Sequence, residues 1–339
     1  MSRTSSCFLW LVVLLFVPLS MKGQHTQAQI EIEEVRANNL LPANEINCLC
    51  QDRQGFIWIG TKSGLFRYDG YRVKQIRNMP SQPHALTSNI VKVVAEDGDG
   101  ALWVGTQKGL THIDFHAGDR SHYHFTDFPN CDVVNCILVT RSGDLWVGTE
   151  GGLYGRRKNE SDSLTFYCDK RRNSKVPHCS VTALIEDDEG YVWIGTWDKG
   201  LFRFNPRNGQ FYEMPRFTDS NSAQTLATDK YGHLWVGTWG NGLFCILNPH
   251  ATYQGLQFRH FDTRSADDPI ASDIVWNICA DAANQLLWVG TNSGLSFIRL
   301  DPQHSTRPPV VHEPSPRILT RGINAIFVDR QGCVWTGLM

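Results

Sequence analysis

The chain has 339 residues, with 32 Lys and Arg against 34 Asp and Glu, a formal net charge of −2. So even a balance, with no basic run interleaved with aromatics, gives no electrostatic case for a nucleic acid or an anionic membrane as partner. The length would hold two ordinary domains, but the repeats described below argue for one ring with a large shared core.

In chain order, Arg3 precedes an apolar run from Cys7 to Leu19, too short to span a bilayer comfortably and followed by polar Lys22, Gly23 and Gln24. This is the pattern of a secretory signal, and residues 1–28 are read as one, with cleavage after Ala28 preferred to Gly23. An uncleaved anchor is the alternative. Cys7 sits inside the run rather than just beyond it, which argues against a lipoprotein site.

Residues 29–43 form a lead-in, and from residue 44 a tryptophan-centred phrase takes over. Trp58-Ile59-Gly60-Thr61 recurs with little change at Trp103, Trp146, Trp193, Trp235 and Trp288, and a seventh copy begins at Trp335 and departs into Thr336-Gly337-Leu338-Met339. Successive tryptophans are 45, 43, 47, 42, 53 and 47 residues apart, the length of one four-stranded propeller blade. Six residues before the Trp stands Asp52, Asp97, Asp187, Asp229 or Asp329, each followed by a turn Gly; blade three has Thr140 there, and Asp281 of blade six comes one residue early. A Gly-Leu pair after each Gly-Thr closes a second turn. Ten residues ahead of the Trp, the inner strand carries Cys48, Val93, Cys136, Ala183, Thr225 or Ala325, small side chains that suit a crowded axis. The expected fold class is all-β: a propeller of four-stranded blades over 44–339, with six complete blades and a truncated seventh. Arg72 to Arg77 and Phe211 to Met214 are examples of the outer strand.

Of ten cysteines, nine would remain after export, an odd number. Structural free thiols are expected, with Cys48 and Cys136 acting as compact hydrophobes; a bridge involving Cys168 and Cys179 is the alternative.

The unit from Asp52 through Trp58-Ile59-Gly60-Thr61 and Gly64-Leu65 to Gly70 resembles the two-component regulator propeller repeat. In that family the repeats form the periplasmic sensor region of Bacteroidota hybrid histidine kinases, many of which detect oligosaccharides and switch on polysaccharide-utilisation genes. The resemblance implies two consecutive seven-bladed propellers, a β-sandwich, a membrane helix and kinase, receiver and DNA-binding modules, with homodimerisation an option for the full-length sensor. On this reading the chain is the export signal and most of the first propeller, truncated without kinase or DNA-binding modules. The departure at Thr336 and Leu338 puts ring closure in question. The lead-in of relatives can supply an outer strand to the last blade, and Ile30 to Val35 is the candidate.

Loops between the second and third strands should share one mouth, placing Lys62, Lys108, Glu150, Lys199 and Asn292 there. Two neighbouring blades put tryptophan in this loop, in Trp197-Asp198-Lys199 and Trp239-Gly240-Asn241. Flat rings stack on apolar sugar faces, and Asp198, Lys199 and Asn241 could partner hydroxyls; the alternative is that both rings pack between blades. A second cluster, His112, Asp114, His116, His122 and His124, lies on a hairpin. If its loop is centred on Gly118, Asp114 faces His122 and His112 faces His124, a weak zinc candidate beside the simpler reading as a polar outer face. No G-x-S-x-G, H-E-x-x-H or Gly-rich phosphate loop is present, and no cofactor is expected. The reading is therefore a periplasmic sensor propeller for an oligosaccharide, not itself an enzyme. The alternative is an exported propeller hydrolase or lyase acting on glycans.

Overall fold

The computed structural model describes residues 11–15, 31–34, 45–79, 85–116, 119–128, 131–158, 163–167, 179–216, 222–251, 255–265, 269–300, 311–312 and 321–338, and their regular elements are all β-strands. Among the described residues no helix is long and apolar enough to cross a membrane.

The turn that opens each Trp strand is organised by one carboxylate. In blade four, Asp187 Oδ1 accepts the N–H groups of Glu189 at 3.0 Å and Tyr191 at 2.9 Å, and Oδ2 accepts Trp193 Nε1 at 2.7 Å. The same indole-to-aspartate bond joins Trp58 to Asp52, Trp103 to Asp97, Trp235 to Asp229 and Trp335 to Asp329, at 2.7 to 3.1 Å. The six-residue spacing is thus a hydrogen-bonding requirement: a buried indole N–H needs an acceptor, and the turn supplies it. Blade three shows the cost of departing from it. Thr140 Oγ1 accepts Asp144 N at 3.0 Å but does not reach the indole, and Trp146 Nε1 is buried without a partner. In blade six, Asp281 instead accepts Asn284 N and Nδ2, at 3.0 and 2.8 Å.

Blade one runs antiparallel from the channel outward as Ile46–Gln51, Ile57–Thr61, Gly64–Tyr68 and Val73–Ile76. Its second strand is buried throughout because it has a blade on each side. Trp58 points into the joint with blade two, against Val94, Leu102 and Val104, while Ile59 joins Ala325 and Trp335 of blade seven. Each repeat tryptophan caps the joint to the next blade in this way, so the core is a circle of inter-blade layers.

The ring closes. Ile323–Val328, the inner strand of repeat seven, lies against Ile46–Gln51. Arg330 N donates to Gln51 Oε1 at 3.0 Å, and Arg330 Nη1 to the Arg53 carbonyl at 2.9 Å. The departure at Thr336 is accommodated, since Thr336 is fully buried opposite Ile326. Repeat seven contributes two strands, Ile323–Val328 and Val334–Leu338. Leu11–Leu15 pairs antiparallel with the second of these, and Glu31–Glu34 pairs with Leu11–Leu15 at the outside. Part of the run read as an export signal therefore lies here as a strand.

The small residues of the inner strands have a different cause from the one expected. Cys48, Cys136 and Thr225 lie directly opposite the Gly of the repeat phrase, at Gly60, Gly148 and Gly237. A Cβ on Gly237 would stand 2.6 Å from Thr225 Cγ2 and 2.7 Å from Val275 Cγ1 of the next blade. Close approach of adjacent blades, rather than crowding at the axis, holds both positions small.

Cys48, Cys50, Cys131, Cys136, Cys245, Cys279 and Cys333 are free thiols. Burial pushes Cys48 and Cys50 up to about 12, and Cys131 and Cys279 up to about 11. Cys168 lies outside the described residues.

Candidate functional site

The loop after the second strand is tied down at its start. The N–H groups of Gln107, Glu150, Trp197 and Asn292 each donate at 3.0 Å to the carbonyl just ahead of their own blade's inner strand, at Ile90, Val133, Ser180 and Ile274. Trp239 N instead donates to Ser222 Oγ at 2.9 Å. These tethers bring the loop to the rim of the central channel. Lys62 pairs with Glu45, and Lys199 Nζ lies 2.9 Å from Asp198 Oδ2.

Five of the seven repeat tryptophans are 0 to 1% exposed, with Trp235 at 2% and Trp335 at 8%, whereas Trp197 is 45% and Trp239 37% exposed. Their ring centroids are 5.2 Å apart with the planes inclined at 57°. Trp239 also meets Trp276 edge-on, at 4.7 Å and 88°. The backbone sets this contact: Trp239 forms an isolated antiparallel bridge with Ile274, and Gly240 N and Gly242 N donate to the Asp273 carbonyl at 3.0 and 2.8 Å. The blade-five loop is thereby fastened to the segment leading into blade six. The rings do make contacts between blades, as the alternative reading held, yet both keep a solvent-facing surface.

Asp198 and Lys199 are exposed and bonded to each other. An exposed pair of this kind contributes little and opens easily. Asn241 is half-buried; its N–H donates to Thr238 Oγ1 at 3.1 Å, and its carbonyl lies 2.7 Å from His260 Nε2. The three polar candidates flank the aromatic pair in sequence, and Lys199 is held as Asn241 is, its N–H donating to Thr196 Oγ1 at 3.1 Å. A separate opening of about 470 Å³ lies at the same mouth between blades two and three, lined by Lys108, Asp132 and Glu150 above the buried Cys131.

Trp276 was missed in the sequence. It stands second in the inner strand Val275–Asp281 of blade six, the blade whose long spacing obscures its alignment. A tryptophan where other blades carry Asn, Lys, Thr or Gln was the available signal.

The histidine hairpin has a different register from the one expected. His124 lies opposite Asp114, and His112 faces Thr126 rather than His124, because an irregularity between Asp119 and Tyr123 shifts the outer strand by two residues. His112 turns inward, its ring 4.2 Å from that of Trp103 and its Nε2 3.4 Å from Asp97 Oδ2. Burial works to raise the Asp97 carboxyl, but bonds from His112, Ala101 N, Asp99 N and Trp103 outweigh it and hold the group below its ordinary value. The side chains of His116 and His122 lie outside the described residues. Among the described residues no three His, Cys, Asp or Glu gather as a metal site.

Fold and mouth together define a β-propeller with an exposed aromatic patch beside its channel. A family model described as two component regulator propeller matches residues 40–63, 85–108, 127–151, 175–198 and 219–240. Five of its repeats thus match this repeat model. Similar solved structures include the extracellular domain of a B. thetaiotaomicron protein described as a one component system, 22% identical with a TM-score of 0.49, covering 87% of this chain and 50% of that one. A streptogramin B lyase is 13% identical with a TM-score of 0.66, covering 88% and 92%. PorZ, a surface component of the type-IX secretion system of Porphyromonas gingivalis, is 16% identical with a TM-score of 0.60, covering 86% and 49%. The chain thus spans half the length of the B. thetaiotaomicron domain. At these identities the likeness concerns the fold alone. Comparison with curated proteins gave no match.

Proposed function

We propose that this chain is the ligand-sensing propeller region of a hybrid two-component sensor histidine kinase that regulates polysaccharide utilisation, exported to the periplasm and without catalytic residues of its own. The repeat family supports the class of protein, since its description names two-component regulators. The observation that carries the ligand reading is the solvent-facing Trp197 and Trp239 pair at the channel rim, in a chain that buries all seven of its repeat-phrase tryptophans. Two inclined indole faces give a pyranose a place to stack its C–H surface, and Asp198, Lys199 and Asn241 border it with hydroxyl partners.

The test is calorimetric titration of the full chain with linear tetrasaccharides of glucose, mannose, xylose and galactose. Binding of at least one, weakened about tenfold or more in both Trp197→Ala and Trp239→Ala, is the expected result. Equal affinity in wild type and both variants would return the two rings to a packing role.

A further inference from the structure

At the start of each inner strand, eleven residues before the repeat tryptophan and twelve in blade six, stands Asn47, Lys92, Asn135, Thr182, Gln224, Trp276 or Asn324, and together they form a belt around the channel at the tryptophan-bearing mouth. Most of the belt is stitched from blade to blade. Asn324 Nδ2 donates to the Ile46 carbonyl at 3.1 Å, Asn47 Nδ2 to Val91 at 2.7 Å, Asn135 Nδ2 to Val181 at 3.2 Å and Thr182 Oγ1 to Ala223 at 2.5 Å. Lys92 Nζ bridges to Asn135 Oδ1 at 3.1 Å. Five consecutive joints, from blade seven round to blade five, are bonded in this way.

At the two remaining joints no belt side chain makes such a bond, although backbone bonds from Gly240, Gly242 and Val275 fasten blade five to blade six. Gln224 Oε1 and Trp276 Nε1 are both shielded from water and neither has a hydrogen-bond partner. One is an acceptor and the other a donor, on neighbouring blades: Gln224 directly precedes the strand Thr225–Thr228, which packs against Val275–Asp281. A buried polar atom left unpaired costs about 1–3 kcal/mol, so two on neighbouring blades, in a belt bonded at its other positions, mark a place where a partner is missing. The gap is also where the exposed aromatics converge, since Trp239 leans edge-on against Trp276.

We propose that the joints between blades five, six and seven, where the belt side chains are unpaired, form the inner subsite of the sugar site, where one pyranose unit donates a hydroxyl hydrogen bond to Gln224 Oε1 and accepts one from the indole N–H of Trp276. The proposal rests on the carbohydrate reading of the tryptophan pair and deepens it from a stacking surface to a site with a defined donor and acceptor. A ring carrying neighbouring hydroxyls satisfies one acceptor and one donor while its C–H face lies on Trp239. Trp239 is over a third exposed and meets Trp276 edge-on, so its turning as the ligand arrives would open the indole of Trp276 to it.

The test uses the full chain with the same four tetrasaccharides. Trp276→Phe removes the N–H and keeps a ring; Gln224→Met removes the amide and keeps the length. Each should weaken binding about tenfold without lowering Tm, because neither gives up a bond in the free protein. Asn324→Ala, which breaks a stitched joint, should lower Tm and leave affinity unchanged. In wild type, the Trp276 indole N–H resonance should move on titration. If Trp197→Ala and Trp239→Ala abolish binding while Trp276→Phe and Gln224→Met bind as wild type, the subsite is overturned and the carbohydrate reading stands. A fall in Tm for Trp276→Phe and Gln224→Met as large as that for Asn324→Ala overturns the subsite without reference to any ligand. Absence of binding by all four sugars, in heat and in resonance shifts alike, overturns the carbohydrate reading and the subsite with it.

Discussion

Removal of the Asp187 carboxylate tests the logic of the repeat directly. Asp187 is 4% exposed and accepts the bonds from Glu189 N, Tyr191 N and Trp193 Nε1. Asp187→Ala leaves three donors without their charged acceptor. With about 1.5–3 kcal/mol for each bond to a charged group and incomplete additivity, the loss should be about 3–5 kcal/mol. A double-mutant cycle isolates the indole bond. Asp187→Ala and Trp193→Phe, singly and together, should couple by about 1.5–3 kcal/mol, the cavity cost of the ring change cancelling round the cycle. Thr140→Ala with Trp146→Phe is the internal control, because Trp146 Nε1 has no partner, and its coupling should stay within about 0.5 kcal/mol. Urea unfolding followed by tryptophan fluorescence gives both numbers. Equal coupling in blades three and four would refute the claim that the six-residue Asp-to-Trp spacing serves this bond.

Three further outcomes follow from the same geometry. Burial acts to raise the Asp229 carboxyl, but bonds from His233 and Trp235 prevail and hold it below the ordinary 3.8; a folded value below the unfolded one stabilises above the unfolded value and is lost as pH falls from about 4 through the folded value. His233→Ala should therefore move the acid-unfolding midpoint upward, and an unchanged midpoint would remove His233 from this role. Gly237→Ala should cost about 1–3 kcal/mol by forcing Thr225 and Val275 apart, measured as a lower urea midpoint at unchanged slope, with wild-type stability counting against the close approach. Intact-mass measurement of periplasmic material should give a mature start between Gln24 and Gln29; a start at Met1 would refute removal and leave the pairing of Leu11–Leu15 with Val334–Leu338 in place.

The blades were legible because the repeat carries its own register. Asp, Gly, Trp and Gly-Leu recur at spacings that only a short-turned antiparallel sheet accommodates, and tertiary packing had no chance to override a signal repeated down the chain. Local consequences were less visible. That Thr140 replaces an aspartate is plain in the sequence; that Trp146 thereby loses its acceptor needs the turn geometry. The small-residue slot was found but attributed to the axis, since the partner that matters, Val91 or Val275, arrives from the next blade and lies far off in sequence. The histidine hairpin failed for the opposite reason: an irregularity between Asp119 and Tyr123 is a local event that an idealised hairpin omits.

A ring of near-identical units offers its own control, because whatever holds the fold together must appear at most joints and whatever serves a ligand need appear at only one. The indole-to-aspartate bond, the Gly close approach and the buried second strand recur round the circle and belong to stability. The exposed tryptophans of blades four and five, the edge-on Trp276 and the unpaired atoms of Gln224 and Trp276 occupy a single sector. If that sector only packed, selection for stability would favour an Asn at position 276, which stitches the joint at the matching positions 47, 135 and 324. A tryptophan there gives up that bond and gains contact with a solvent-facing ring. Such an exchange makes physical sense where something else completes the belt.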